Sequence, residues 1–208
     1  RIKPGADAAR YHAGLQHFLE EAKQLARFEH PALARVFSFW EENGSAYAVM
    51  PYLKGQPLAE VVKAWAQPLG EPELRALLSP LLGALAVVHS ALPCHGHIGP
   101  DSIFMRADGQ PVLMNLGRTS GEVLPVREGA GASAPSPMDF APLEQCKPDA
   151  HLPLGPWSDL YAVAAVMHWA ITGQAPVNAA ARAAGQTQRP LAQAALSVQA
   201  QHPGVSYS

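Results

Sequence analysis

Residues 95–104 read HGHIGPDSIF, and two different sequence patterns meet at this stretch. Before it, Glu71–Ser90 repeats apolar residues at helical spacing, with an internal Pro80 that is expected to kink or interrupt a helix. After it, two apolar runs in IFMRADGQPVLMNLG flank the pair Asp108-Gly109, which is typical of a hairpin turn. We therefore expect the stretch to join a long helix to a hairpin.

The rest of the chain alternates helical and strand patterns in the same way. Apolar spacing from Leu15 to Ala26 predicts an amphipathic helix, and LARVFSFW and SAYAVMPYL, joined by EENG, predict an antiparallel pair of strands. LAEVVKAWA predicts a short helix, and Ser158–Thr172 predicts a buried helix with Gly173 as its C-cap. The Gly-, Ala-, Ser- and Pro-rich residues 118–139 predict a long loop, and no element is assigned beyond Pro176.

Composition excludes several classes of protein. The 208 residues are 48% hydrophobic and carry 15 basic and 17 acidic side chains, so there is no basic patch for nucleic acid or an anionic membrane. The longest apolar run, 160–171, contains His168 and is too short to cross a bilayer. The two cysteines, Cys94 and Cys146, are too few for a disulfide framework. We expect a cytoplasmic location, with no nucleic acid and no membrane contact within this segment.

Taken in order, these elements and motifs resemble a protein kinase domain of the bacterial serine/threonine type. Glu21, in FLEEAK before the His-Pro of EHPAL, matches the glutamate that pairs with the ATP-contacting lysine. MPYLKG resembles the hinge that meets adenine, with Met50 as gatekeeper and backbone groups at Pro51 and Leu53. The resemblance therefore implies a nucleotide site that involves these four residues.

The catalytic half of the resemblance begins with HGHIGPDSIF, which is similar to the H-R-D-L-K-P-x-N-I loop. NLG matches D-F-G, PLE matches A-P-E, and SDLYAV followed by TGQAP resembles the start and end of the large C-lobe helix. The positions that this match makes structural are His95, Gly117, Glu144 and Asp159.

The fold implied is α+β, a bilobal kinase-like fold with a truncated, small β-rich N-lobe and a mainly helical C-lobe. The expected divisions are 1–53 for the partial N-lobe, 54–176 for the C-lobe with an activation-type loop at 118–141, and 177–208 for an Ala/Gln-rich C-terminal segment. No Gly-rich loop precedes the first helix, and the last C-lobe helices are absent, so we expect a fragment. Lys3 is a candidate for the ATP lysine, but Pro4 would disturb a strand there, and a solvated lysine is the alternative.

Four chemical positions of the family pattern are altered. Where the resemblance implies a catalytic aspartate, a phosphate-steadying lysine, a magnesium-binding asparagine and a magnesium-binding aspartate, this chain has His97, Gly99, Ser102 and Asn115. Magnesium prefers anionic oxygen ligands, so these residues predict poor Mg²⁺ binding, while ATP binding stays open. Losing four groups that act as a unit predicts impaired catalysis.

Three hypotheses follow from these residues. The first is a pseudokinase, a regulatory module that binds a protein partner or another domain of its own chain. The second is an active serine/threonine kinase that transfers a phosphoryl or adenylyl group to protein hydroxyls. The third is a metal site formed by His89, Cys94, His95 and His97. It has roughly one chance in ten, because a lone C-H-x-H lacks the second, distant pair of ligands that such sites have. Phosphorylation in the loose loop is a weaker signal, at Thr119, Ser120, Ser133 and Ser136.

Overall fold

The computed structural model describes residues 8–64, 69–115, 137–146 and 152–201. The helices are α1 (Ala8–Leu25), α2 (Leu58–Ala64), α3 (Glu71–His89), α4 (Leu143–Cys146), α5 (Pro156–Thr172), α6 (Ala179–Ala183) and α7 (Leu191–Gln201). The strands are β1 (Ser38–Glu42), β2 (Ser45–Val49), β3 (Gly55–Pro57), β4 (Ile103–Arg106) and β5 (Pro111–Leu113). Lys3, Gly117 and the hydroxyl residues of the loose loop named above lie outside the described residues.

The N-terminal part consists of α1 packed on the antiparallel hairpin β1–β2. The predicted hairpin is confirmed, with Asn43 and Gly44 at φ 51° and 67° in its turn, and the Tyr11 hydroxyl of α1 donates a hydrogen bond to the Gly44 carbonyl (2.7 Å). The predicted start of the first strand is wrong, because β1 begins only at Ser38. Residues 32–34, upstream of β1, pair with another part of the chain instead.

That partner is Leu113 at the end of β5. The Ala34 amide donates to the Leu113 carbonyl (2.9 Å), and the Leu113 amide donates to the Ala32 carbonyl (2.8 Å). Leu33 and Leu113 thereby form an isolated parallel bridge, and both are buried. This bridge ties the N-terminal part to the C-terminal part away from the connecting chain at residues 50–54.

The C-terminal part is mainly helical and carries the small sheet β3–β4–β5. The Asp108-Gly109 hairpin is confirmed, and so is α3, although Pro80 does not interrupt it. Strand β3 was not predicted. It pairs with β4 so closely that a Cβ at Gly55 would lie 2.0 Å from the Met105 carbonyl oxygen, which only glycine avoids.

A continuous buried core joins the two parts and confirms the α+β, two-part architecture. It runs from Leu25 on α1 through Leu81 and Leu85 on α3 to Ile103 on β4 and Val166 on α5. Helix α5 and its cap are also confirmed, since Gly173 ends it with φ 67°. No helix among the described ranges is both long and apolar enough to span a membrane. The boundaries at residues 53 and 176 stay predictions.

The segment after Pro176, which the sequence left unassigned, contains α6 and α7. Asn178 caps α6 by accepting a hydrogen bond from the Ala181 amide (2.8 Å). Helix α7 packs against α5 through Ala194 and Val198. Helix α6 packs against α4, which places the C-terminal segment next to the loop described below.

Candidate functional site

The loop 95–102 is held by a buried carboxylate at the start of α5. Asp159, only 1% exposed, accepts the amide N–H of His95 (2.6 Å) and of Gly96 (2.9 Å), and its Oδ2 also lies 2.7 Å from Nε2 of His89. Three donors therefore satisfy one buried charge. Gly96 adopts φ 75°, a left-handed conformation that glycine tolerates and that lets two successive amides point at one carboxylate.

A second contact that holds the loop comes from α4, and it was not predicted from the sequence. Gln145 Nε2 donates to the Gly96 carbonyl (2.9 Å), so the amide and the carbonyl of Gly96 are both hydrogen-bonded. Its neighbour Glu144 accepts a hydrogen bond from the Ser158 hydroxyl (2.5 Å), which anchors α4 to α5. The only sequence signal for Gln145 was its place beside the FAPLE motif. The loop is thus fixed from two directions.

The two histidines of the loop have different surroundings. His95 is fully buried, and its Nδ1 accepts the His97 amide (3.3 Å). Burial lowers the pKa of His95 to about 3, and the neighbouring His97 and His89 add to the effect, so the imidazole is neutral. His97 is half-buried at the position where the resemblance implies a catalytic base.

Ser102 has its hydroxyl turned into the loop. The side chain is 2% exposed, and Oγ accepts the Gly99 amide (2.9 Å) while it donates to the Gly99 carbonyl (3.0 Å). A hydroxyl has one proton and two lone pairs, so the proton and one pair are used within the loop. This geometry leaves Ser102 poorly placed as a ligand to a cation in the cleft.

Asn115 follows β5 and is exposed, with φ 57°. Its side chain is a neutral amide where the resemblance implies a carboxylate. Together with His97, Gly99 and Ser102, it gives four positions without one carboxylate. The chemistry at these positions is therefore that of neutral donors and acceptors.

A cleft of about 1110 Å³ lies between the two parts of the chain. It brings together the predicted residues Met50, Pro51 and Leu53, and also apolar residues that the sequence reading missed: Ala34, Ala48, Phe104, Val112 and Met114. Among the described residues, the Leu53 peptide group has no hydrogen-bond partner, so it can meet a planar ligand in the cleft. Glu21 is half-buried on α1 and is not part of the cleft wall.

The rim of the cleft carries charges in pairs. Arg35 lies 3.0 Å from Glu29, and Arg106 lies 2.7 Å from Asp108. Because these pairs are largely exposed, they stabilise the fold little. Lys54 also lines the cleft, so its lining carries three cationic and two acidic side chains, and solvent screens this small excess. The walls are apolar, so the cleft suits an aromatic group better than a multiply charged one.

The residues of the metal hypothesis have other roles. His89 binds Asp159, His95 accepts the His97 amide, and Cys94 is buried with its thiol pKa raised to about 11 by burial and by Asp159. No group of three His, Cys, Asp or Glu side chains suited to a metal ion occurs within the ranges that the structure describes.

The chain is similar in sequence to known proteins over most of its length. Residues 3–203 match the protein kinase domain family. Serine/threonine-protein kinase PknA of Mycobacterium tuberculosis is 29% identical over 171 residues, 78% of this chain and 38% of PknA. PknL of Mycobacterium bovis is 27% identical over 172 residues, 81% of this chain and 42% of PknL. The chain thus spans about two fifths of the length of these relatives.

Solved structures show the same likeness. The structure described as the PpkA-294 apo form has a TM-score of 0.75 and 29% identity, and the match covers 100% of this chain and 69% of that one. The PknI kinase domain of Mycobacterium tuberculosis, as a C20A_R136A double mutant, has a TM-score of 0.65 at 19% identity, which supports the fold alone.

Proposed function

The chain belongs to the protein kinase domain family, and from that premise we propose that it is a pseudokinase, a kinase fold kept as a regulatory or protein-binding module. The observation that carries the proposal is the Ser102 hydroxyl, which is closed onto Gly99 where the resemblance implies a magnesium ligand. Its partner is a protein or another domain of the same polypeptide.

Loss of magnesium binding follows from charge. Mg²⁺ dehydrates reluctantly and is held by carboxylates together with substrate phosphates. Neither Ser102 nor Asn115 supplies a negative charge, and the Ser102 oxygen is already engaged. The metal would have to be held by the nucleotide alone, which removes the alignment that phosphoryl transfer requires.

Loss of catalysis follows from the remaining positions. A histidine at position 97 offers a base, but Gly99 offers no cation to steady the transferred phosphate. Catalytic groups that act together are strongly non-additive, so one surviving base contributes little without the others. The scaffold contacts of Asp159 and Gln145 keep the loop folded without requiring that it react.

The cleft itself is compatible with a nucleobase. Met50, Leu53, Phe104 and Met114 give apolar walls, while the four altered positions give nothing that recognises a metal-bound phosphate tail. We infer that any nucleotide bound here is held through its base. Adenosine and ATP are then expected to bind alike, with or without Mg²⁺.

An active kinase is the second candidate function. It is favoured by the half-buried His97 at the base position, by the retained Glu21, and by relatives that are named as serine/threonine-protein kinases. In this alternative His97 takes the proton of a substrate hydroxyl.

The intact mass of the full-length protein after incubation with ATP and Mg²⁺ or Mn²⁺ tests both candidates. The pseudokinase predicts no added phosphate or adenylate, and the same spectrum for His97→Ala. A mass gain that His97→Ala abolishes would establish the active kinase instead. A mass gain that persists in His97→Ala would point to a co-purified kinase. In that case His97→Asp, which restores the aspartate that the resemblance implies, should show the same mass gain.

A further inference from the structure

His168 on α5 takes part in a hydrogen-bonded chain that crosses to the C-terminal segment. Its Nε2 lies 2.9 Å from Nε2 of Gln188, and Oε1 of Gln188 accepts the Val177 amide (2.6 Å). On the other side of the ring, Nδ1 faces the Thr172 hydroxyl at 3.5 Å. The Gln188 amide thereby links His168 on α5 to the backbone at Val177.

The direction of each hydrogen bond in this chain is fixed by the Val177 amide. A backbone N–H can only donate, so the atom of Gln188 that faces it is the amide oxygen, and the nitrogen faces His168. That nitrogen can only donate, so Nε2 of His168 must carry a lone pair. The ring is therefore neutral, with its proton on Nδ1.

A proton added at Nε2 would place two donors against each other. Turning the Gln188 amide over would restore an acceptor for His168, but the amide nitrogen would then face the Val177 N–H. Either way one donor of this half-buried group is left without its protein acceptor, which disfavours the contact. Gln188 can therefore bond both His168 and the Val177 amide only while His168 is neutral.

Within the part of the chain that the structure describes, no carboxylate forms an ion pair with His168. Asp159 is the one acidic residue among positions 152–201, and it is already engaged by His89 and two amides. The charged groups of the segment itself are cations: Arg182 on α6, and Arg189, whose guanidinium binds the Ser197 hydroxyl (2.7 Å). The facing elements carry Glu144 on α4, which accepts the Ser158 hydroxyl, and Glu71, Glu73 and Arg75 on α3, where Arg75 pairs with Glu71. Helix α7 has no titratable residue, and α3 presents His89 to Asp159. Burial lowers the pKa of His168 accordingly.

The linked segment leads to the site. Val177 immediately precedes the capping residue of α6, α6 packs against α4, and α4 holds the Gly96 carbonyl through Gln145. We propose that His168, Gln188 and Val177 form a proton-sensitive latch, which holds α6 against α4 when His168 is neutral and releases it when His168 is protonated. The latch operates whether or not the chain transfers phosphate.

Amide hydrogen exchange of the full-length protein tests the latch, with rates corrected for their intrinsic pH dependence. The local opening that exposes the Val177 amide should become up to about tenfold more favourable per pH unit below roughly pH 6.5, because opening then takes up one proton. Amides of the α3 core, such as those of Leu85 and Val88, exchange through global unfolding and should stay better protected than the Val177 amide at every pH, because the opening at Val177 is local.

The matched variant is Gln188→Glu. Its carboxylate can accept the Val177 amide and a protonated His168 together, so Val177 protection should hold or rise as the pH falls. The latch is refuted if Val177 protection does not change with pH, if the Val177 amide is as strongly protected as the core amides and so exchanges only through global unfolding, or if Gln188→Glu behaves like the wild type. Nitrogen NMR of His168 in the wild-type protein decides the matter should the variant not fold. A proton on Nδ1 supports the latch, and a proton on Nε2 overturns it.

Discussion

Ser102 and Gly99 hold each other in a closed pair of hydrogen bonds, with one hydroxyl that accepts the Gly99 amide and donates to the Gly99 carbonyl. The residue at the position where the resemblance implies a magnesium ligand thus takes part in the hydrogen bonding of its own loop. Replacing Ser102 should therefore lower the stability of the fold and leave the affinity for metal ions unchanged.

Ser102→Ala should lower the free energy of unfolding by about 1–3 kcal/mol, because two backbone groups in a buried loop lose their partner. Urea denaturation of the two proteins measures the change. Ser90→Ala is the control, since Ser90 donates to the Val87 carbonyl at an exposed site and should cost about 0.5 kcal/mol or less. If both substitutions lowered the free energy of unfolding equally, the hydrogen bonds between Ser102 and Gly99 would contribute no more than an exposed one.

Asp159→Asn should lower the free energy of unfolding by about 3–5 kcal/mol. The buried carboxylate accepts hydrogen bonds from three donors, whereas the NH₂ group of asparagine is itself a donor and would face one of them. Thermal or urea unfolding of the full chain provides the measurement. Asp108→Asn, at an exposed pair with Arg106, should change stability by about 0–1 kcal/mol. A small effect at Asp159 would mean that the loop does not depend on α5.

Stability should fall as the pH is lowered below about 6.5, because His95 is held neutral in the folded protein while it takes up a proton in the unfolded chain. Its folded pKa of about 3 sets the lower end of the window. Within that window the free energy of unfolding should decrease by up to about 1.4 kcal/mol per pH unit from this group. Urea midpoints between pH 7 and pH 5 provide the test.

His95→Phe should flatten this pH dependence while the exposed control His12→Gln leaves it unchanged. Phenylalanine fills the buried site without a titratable group, although the Nδ1 acceptor for the His97 amide is lost. An undiminished slope in His95→Phe would assign the acid sensitivity to other groups.

Adenosine and ATP should bind the cleft with affinities within a factor of about three, which is ~0.7 kcal/mol, and Mg²⁺ should not alter either value. Calorimetric titration with and without a chelator provides the comparison. Ala48→Leu places a larger side chain in the wall of the cleft and should weaken the binding of both ligands to the same extent. Tighter binding of ATP in the presence of Mg²⁺ would contradict the loss of the metal site.

The sequence was most informative where structure is local. Asn43-Gly44 and Asp108-Gly109 specify their own turns through backbone conformation, so both hairpins could be located from a few residues. Strand β3 was missed because its three residues are extended only through pairing with β4, some fifty positions later. Helices α6 and α7 were missed because alanine gives little contrast between a buried and an exposed face.

The candidate site was likewise predicted only in part. Met50, Pro51 and Leu53 do line one cleft, but Phe104 and Met114 complete it from strand ends that the sequence does not place beside the hinge. Gln145 contacts Gly96 across 49 positions, a distance at which no periodic pattern reports contact. The roles of His97, Gly99, Ser102 and Asn115 stay predictions until activity is measured.

The parallel bridge between Leu33 and Leu113 has a mechanical consequence. With the connecting chain at residues 50–54, it gives the two lobes a second point of attachment, made by two backbone hydrogen bonds only two residues before Asn115. A body fixed at one point can turn in any direction, whereas a body fixed at two points turns about the line between them. A change in the width of the cleft that keeps both attachments and the shared core is therefore expected to pivot near Leu113, and Asn115, two residues later, should move little.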